Sequence, residues 1–80
     1  MKRYSPLQVK CSANKEPLEI KYRDQLLQVA ALLEYWQDTG RWWAGESEKA
    51  FYRLILEDRS VREIFYDPDE EKWYLYKTYD

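Results

Sequence analysis

Short segments that alternate apolar and polar residues, set apart by turn-forming residues, recur along most of this 80-residue chain and point to a β-rich fold. Leu7 to Ser12 sets Leu7, Val9 and Cys11 against Gln8, Lys10 and Ser12, and Leu18 to Tyr22 sets Leu18, Ile20 and Tyr22 against Glu19 and Lys21. Further on, Lys49 to Glu57 opposes Ala50, Tyr52, Leu54 and Leu56 to Phe51, Arg53 and Ile55. Val61 to Tyr66 reads as its returning strand, and Lys72 to Tyr79 as a last strand dense in β-favouring aromatics. The connections carry turn chemistry. Ala13 to Pro17 is polar and closed by proline, and Asp58-Arg59-Ser60 is a tight polar turn. Asp67-Pro68 has the Asp and Pro placement of a type I turn, with Asp69 to Glu71 behind it. Arg23-Asp24 suits a two-residue hairpin turn, although it lacks the Asn-Gly or Asp-Gly signature. Met1 to Pro6 reads as a tail in which Pro6 blocks a helix.

The ambiguous segment is Gln25 to Trp36. As a helix, Leu26, Val29, Ala30 and Leu33 share one face, with Asp24 as a cap and Gly40 as a stop. As a strand, Leu27, Val29, Ala31, Leu33 and Tyr35 form a wholly apolar face, opposite a mixed one. Leu and Ala favour the helix; the strand-like neighbours on both sides favour the strand. The sequence thus predicts an all-β domain from residue 7 to 80, a small SH3-like or OB-like barrel of about six strands. The alternative is an α+β fold with a helix near residues 25–36.

Tyr35 to Glu46 gathers Trp36, Trp42 and Trp43 around Arg41 and both glycines, and reads as a bend folded over a core. Each such ring carries ~150–250 Å² of buriable surface. If Trp42 and Trp43 are extended they point to opposite faces, one buried and one toward solvent. The aromatic content of 18% gives so small a domain a compact source of apolar area. With one cysteine, Cys11, no internal disulfide forms, and a reducing, cytoplasmic setting is expected. Met1 to Pro6 has charge but no apolar stretch behind it, unlike a signal peptide. The longest apolar run, Val29 to Leu33, is far short of a membrane span.

Catalytic chemistry finds little support. The chain has no histidine, the commonest general base and metal ligand. Ser5, Ser12, Ser47 and Ser60 have no partner base of the triad kind, and Gly40 and Gly45 make no phosphate-cradling loop. Cys11 on an apolar strand face reads as a small core residue. No metal site and no cofactor is expected. The candidate binding residues are Trp36, Arg41, Trp42, Trp43, Tyr52, Arg53 and Trp73. Interleaved arginines and aromatics stack on unpaired bases and neutralise phosphates; they also seal small cores, with guanidinium over indole.

The stretch Trp36-x-x-Thr39-Gly40-Arg41-Trp42-Trp43-x-Gly45-Glu46, with Tyr52-Arg53, Trp73-Tyr74-Leu75-Tyr76-Lys77 and the closing Tyr79-Asp80, resembles a bacterial family known as a domain of unknown function. The similarity runs from about Pro17 to Asp80. A related segment resembles the C-terminal end of ImuB-type proteins, inactive relatives of Y-family DNA polymerases that work in mutagenic translesion synthesis. In that family the segment before the bend is richer in Val and Arg and reads as a strand; Ala30, Ala31 and Leu32 depart from it here. The resemblance implies a process, translesion repair, and no mechanism, and it transfers no catalytic residue. The leading expectation is a non-enzymatic module that docks on a translesion polymerase or accessory protein. The alternative expectation is a single-stranded nucleic-acid binder using Arg41, Trp43, Tyr52 and Arg53, which a net charge of −2 disfavours.

Overall fold

The structure is a computed structural model that describes residues 4–38, 45 and 47–79. It is all β, with no helix among the described residues. Six strands follow one another: β1 (Ser5–Cys11), β2 (Pro17–Tyr22), β3 (Gln25–Asp38), β4 (Lys49–Leu56), β5 (Val61–Asp67) and β6 (Lys72–Tyr79). Each pairs antiparallel with the next, and β1 pairs with β6 to close a barrel in sequential order. Ser5 and Pro6, read in sequence as the end of a tail, belong to β1 and lie opposite Leu75 and Tyr74. Pro6 is tolerated there because it sits at the start of a strand.

Gln25 to Trp36 is strand throughout, within the 14 residues of β3. The simple alternation expected of it is broken twice. Register shifts against β4 fall between Val29 and Ala31 and between Leu32 and Glu34, leaving Ala30 and Leu33 as the extra residues. Opposed residues share a face, so Val29 and Leu32 lie inward with Leu56 and Leu54 of the core. Ala31 and Glu34 turn outward with Ile55 and Arg53. The second bulge restores the parity that the first removed, and Tyr35 faces inward opposite Tyr52.

The barrel interior is aliphatic. Leu7, Ile20, Leu27, Leu54, Leu56 and Ile64 form its buried cluster, flanked by Val9, Tyr22, Val29, Tyr52, Trp73 and Leu75. A second, aromatic layer lies on the outer face of β3 to β6. Trp36 stacks on Phe51 at 5.4 Å and Phe51 meets Phe65 at 5.3 Å, while Phe65 stacks on Tyr74 at 5.3 Å. A further register shift in the β5–β6 ladder skips Tyr76, whose ring reaches Phe51 at 5.1 Å. Tyr4, just before β1, completes the layer against Phe65 and Tyr76. Glu63, Ile64 and Phe65 are therefore buried in succession, because β5 is covered on both sides.

Four hairpin connections place a non-glycine residue in the left-handed region: Lys15, Arg23, Arg59 and Glu71. Side-chain acceptors organise three of them. The Ser12 hydroxyl accepts from the N–H groups of Asn14 and Glu16, and Asp58 accepts from the N–H and hydroxyl of Ser60. Asp67 accepts from the N–H groups of Asp69 and Glu70. Asp69 also ties this last turn to the residues before β4, accepting from Ser47 Oγ at 2.8 Å.

Urea denaturation tests the two layers separately. Leu54→Ala is expected to cost about 2–5 kcal/mol, and Phe51→Ala about 3–5 kcal/mol although Phe51 lies outside the ring. A Phe51→Ala loss within about 0.5 kcal/mol, the usual size for a surface site, would show that the outer layer is no core. The hydrogen bonds from Ser47 hold the Asp69 carboxyl below its ordinary range. A carboxyl depressed on folding contributes stability above its unfolded pKa, and the contribution is lost as pH falls through the folded value. Asp69→Asn should accordingly lose less stability than the parent between about pH 4 and pH 2, read by denaturation at several pH values.

Candidate functional site

Tyr52 and Arg53 are neighbours on β4, so their side chains leave on opposite faces of the sheet. This divides the sequence-predicted residues into two groups. On the inner face, the Tyr52 ring lies 5.0 Å from Tyr35 of β3 and 5.4 Å from Trp73 of β6. Trp73 in turn meets Tyr66 of β5 at 5.1 Å. Ala50 stands opposite Tyr66, and its small side chain leaves space between these larger rings. Tyr35, Tyr52, Trp73 and Tyr66 thus form one row toward the Asp38–Lys49 end of the barrel, with Tyr35 49% exposed and Leu32 beside it 40% exposed. Burial is the main cause that raises the Tyr52 phenol, and the field of Tyr35, Cys11 and Glu16 adds to it. Burial likewise raises the Cys11 thiol, which keeps it neutral.

Tyr35, Tyr66 and Leu32 were not among the candidate binding residues read from the sequence. The alternation of Tyr52 with Leu54 marks the inner face of β4, but Leu32 joins that face only because of the bulges in β3. No local signal announces those bulges.

The outer face carries Trp36 and Arg53. The register sets Glu34, Arg53, Glu63 and Lys77 in one line across four strands. Arg53 Nη1 is 2.8 Å from Glu34 Oε2, and Nε donates to Glu63 Oε2 at 2.8 Å. The Tyr79 hydroxyl donates to the same Glu63 oxygen at 2.8 Å. The guanidinium lies over the rings of Trp36 and Tyr79, at 5.9 and 5.7 Å. The bond to Glu63, then the charge of Glu34, raise Arg53 above its already high pKa. Glu63 is only 2% exposed, so Arg53 compensates a carboxylate withdrawn from water. This arginine is committed within the fold.

A shallow cleft of about 270 Å³ lies over β1 and β2, lined by Pro6, Leu7, Gln8, Lys21 and Arg23. Arg23 covers the Tyr22 ring. Neither Lys21 nor Arg23 enters an ion pair among the described residues. Arg41, Trp42 and Trp43, together with the expectation of opposite faces for the two tryptophans, lie outside the described residues. Among the described residues no group of three acidic, Cys or His side chains is placed to hold a metal ion, and no helix is long and apolar enough to cross a membrane.

If Arg53 serves mainly to balance Glu63, removing it leaves that carboxylate unpaired. Arg53→Met should lower the melting temperature, and adding Glu63→Leu should recover part of the loss, a coupling that a double-mutant cycle measures. Strictly additive losses would show that the two side chains act independently.

No curated protein and no solved structure matches the chain. A family model does match, over residues 2–80, and so covers every strand of the barrel. The chain belongs to the family described as a domain of unknown function, DUF6504.

Proposed function

We propose that this domain is a non-enzymatic protein-interaction module of error-prone translesion DNA repair, docking in the cytoplasm on a translesion polymerase or one of its accessory proteins. The observation that carries the docking reading is the row Tyr35, Tyr52, Trp73 and Tyr66, part-exposed at the barrel mouth beside Leu32. Aromatic side chains of this kind, apolar in body and polar at the tip, are the anchors around which protein interfaces form. The translesion process rests on the resemblance of Trp36 to Glu46, Tyr52-Arg53 and Trp73 to Lys77 to a family of unknown function, a related segment of which resembles the C-terminal end of ImuB-type proteins.

The rival reading, binding of single-stranded nucleic acid, draws on the same rings as a stacking platform and on Lys21 and Arg23, which face no ion-pair partner among the described residues. Against it, Arg53 turns away from the rings and is neutralised by two carboxylates. A phosphate chain needs cations beside the stacking surface, and the cation adjacent to Tyr52 in sequence is spent elsewhere.

A fluorescence titration with a single-stranded oligonucleotide at low and physiological salt, alongside in-cell crosslinking after DNA damage, separates the two. Docking predicts no oligonucleotide binding at physiological salt, and crosslinking to a translesion polymerase or accessory protein that Tyr35→Ser abolishes. Micromolar, salt-sensitive oligonucleotide binding with quenching of tryptophan fluorescence would overturn the docking reading in favour of its rival.

A further inference from the structure

Strand β3 is paired along only part of each edge. β2 covers Gln25 to Gln28, and β4 takes the other edge from Val29 to Asp38. Carried one step further, the β2 register would set Leu18 opposite Val29 and then Pro17 opposite Ala30. Proline has no N–H to continue a ladder there. From Ala30 to Asp38, the edge of β3 away from β4 has no strand beside it among the described residues.

Exposed edges are usually blunted by lysine, proline or bulges. β3 contains no Lys, Arg or Pro. Both of its bulges precede Glu34, and Glu34 to Asp38 stays in regular register. Leu33, the extra residue of the second bulge, is 48% exposed, and Tyr35 on the regular stretch 49%. The charges on β3 are two carboxylates, Glu34 and Asp38. Glu34 shares the Arg53 guanidinium with the buried Glu63, and Asp38 enters no ion pair among the described residues. The field of Glu16, on the β1–β2 connection, also reaches Tyr52. A backbone edge unpaired among the described residues, an adjoining row of rings and a surplus of carboxylates over cations on β3 together describe the chemistry of a strand that would fit there.

We propose that residues 30–38 of β3 receive an extended, basic segment of the partner protein as an added strand. This rests on the docking reading and specifies its mode. The backbone of β3 supplies hydrogen bonds that do not depend on partner sequence, while alternate partner side chains point over Tyr35 and Tyr52 and set specificity. Cationic side chains suit both the ring faces and the carboxylates. A second copy of this chain fits poorly. Two β3 edges side by side bring Glu34 and Asp38 from each into one seam with no cation on either strand.

The test starts from linear 12-residue peptides selected from a random display library on the full chain. One selected peptide, made synthetically, is then followed by amide hydrogen exchange of the complex. Enriched sequences should carry net positive charge and alternating apolar positions, and the peptide should slow exchange at least tenfold within residues 30–38 and not within Pro17–Tyr22. Leu33→Lys should weaken binding at least tenfold with unchanged melting, since Leu33 is solvent-exposed in the free protein. Acidic selected sequences, no enrichment, or protection of 30–38 that grows with protein concentration alone would each overturn strand addition. Binding that Tyr35→Ala abolishes without protection at 30–38 would also overturn strand addition, yet leave the docking reading intact. Failure of the crosslinking assay as well would remove both.

Discussion

Closing six strands into one ring leaves a narrow interior, and that limit governs the rest of the molecule. Barrel diameter grows with strand number, and about eight strands give a lumen just wide enough for side chains to fill. With six, the buried interior cluster among the described residues consists of Leu and Ile: Leu7, Ile20, Leu27, Leu54, Leu56 and Ile64. A chain with eight tyrosines, four tryptophans and two phenylalanines must place most of those rings elsewhere. Among the described residues, Trp36, Phe51, Phe65, Tyr74 and Tyr76 build a second layer on the outer face, and Tyr35, Tyr52, Trp73 and Tyr66 line up at the mouth. The outer layer gives an 80-residue domain apolar burial that its lumen alone cannot hold.

This division also sets the electrostatics. Arg53 leaves β4 on the crowded outer side, between Glu34 and Glu63, and serves as a cross-strand clamp. Its sequence neighbour Tyr52 leaves on the inner side, between the rings of Tyr35 and Trp73. The surface that offers aromatic faces is thus separated from the arginine that would have made it attractive to phosphate. The proposed protein-docking role follows from that separation, since a desolvated aromatic anchor needs no adjacent cation.

Much of the fold was legible in sequence because alternation and turn chemistry agree locally. Asp67-Pro68 announces a turn, and the Asp67 carboxylate does accept from the N–H groups of Asp69 and Glu70. β3 was ambiguous for a physical reason. Its inward residues are Leu27, Val29, Leu32 and Tyr35, and bulges that stretch two of the steps from two residues to three imitate the spacing of a helix. Leu and Ala then add their own helical preference. At the candidate site, the opposite directions of Tyr52 and Arg53 could be read from periodicity alone. The partners of Arg53 could not, because Glu34 and Glu63 reach it through registers that depend on where the bulges fall.

The pairing of β1 with β6 makes the barrel a ring whose order of neighbours has no inherent first member. Ser5 lies opposite Leu75, so the outermost strands meet side by side, and every other pair of neighbours is consecutive in sequence. The contacts that define the domain are consequently indifferent to where the polypeptide is interrupted. A circular permutant joining the two ends, reopened in the polar connection after Cys11 or after Leu56, would keep each strand between the same two partners.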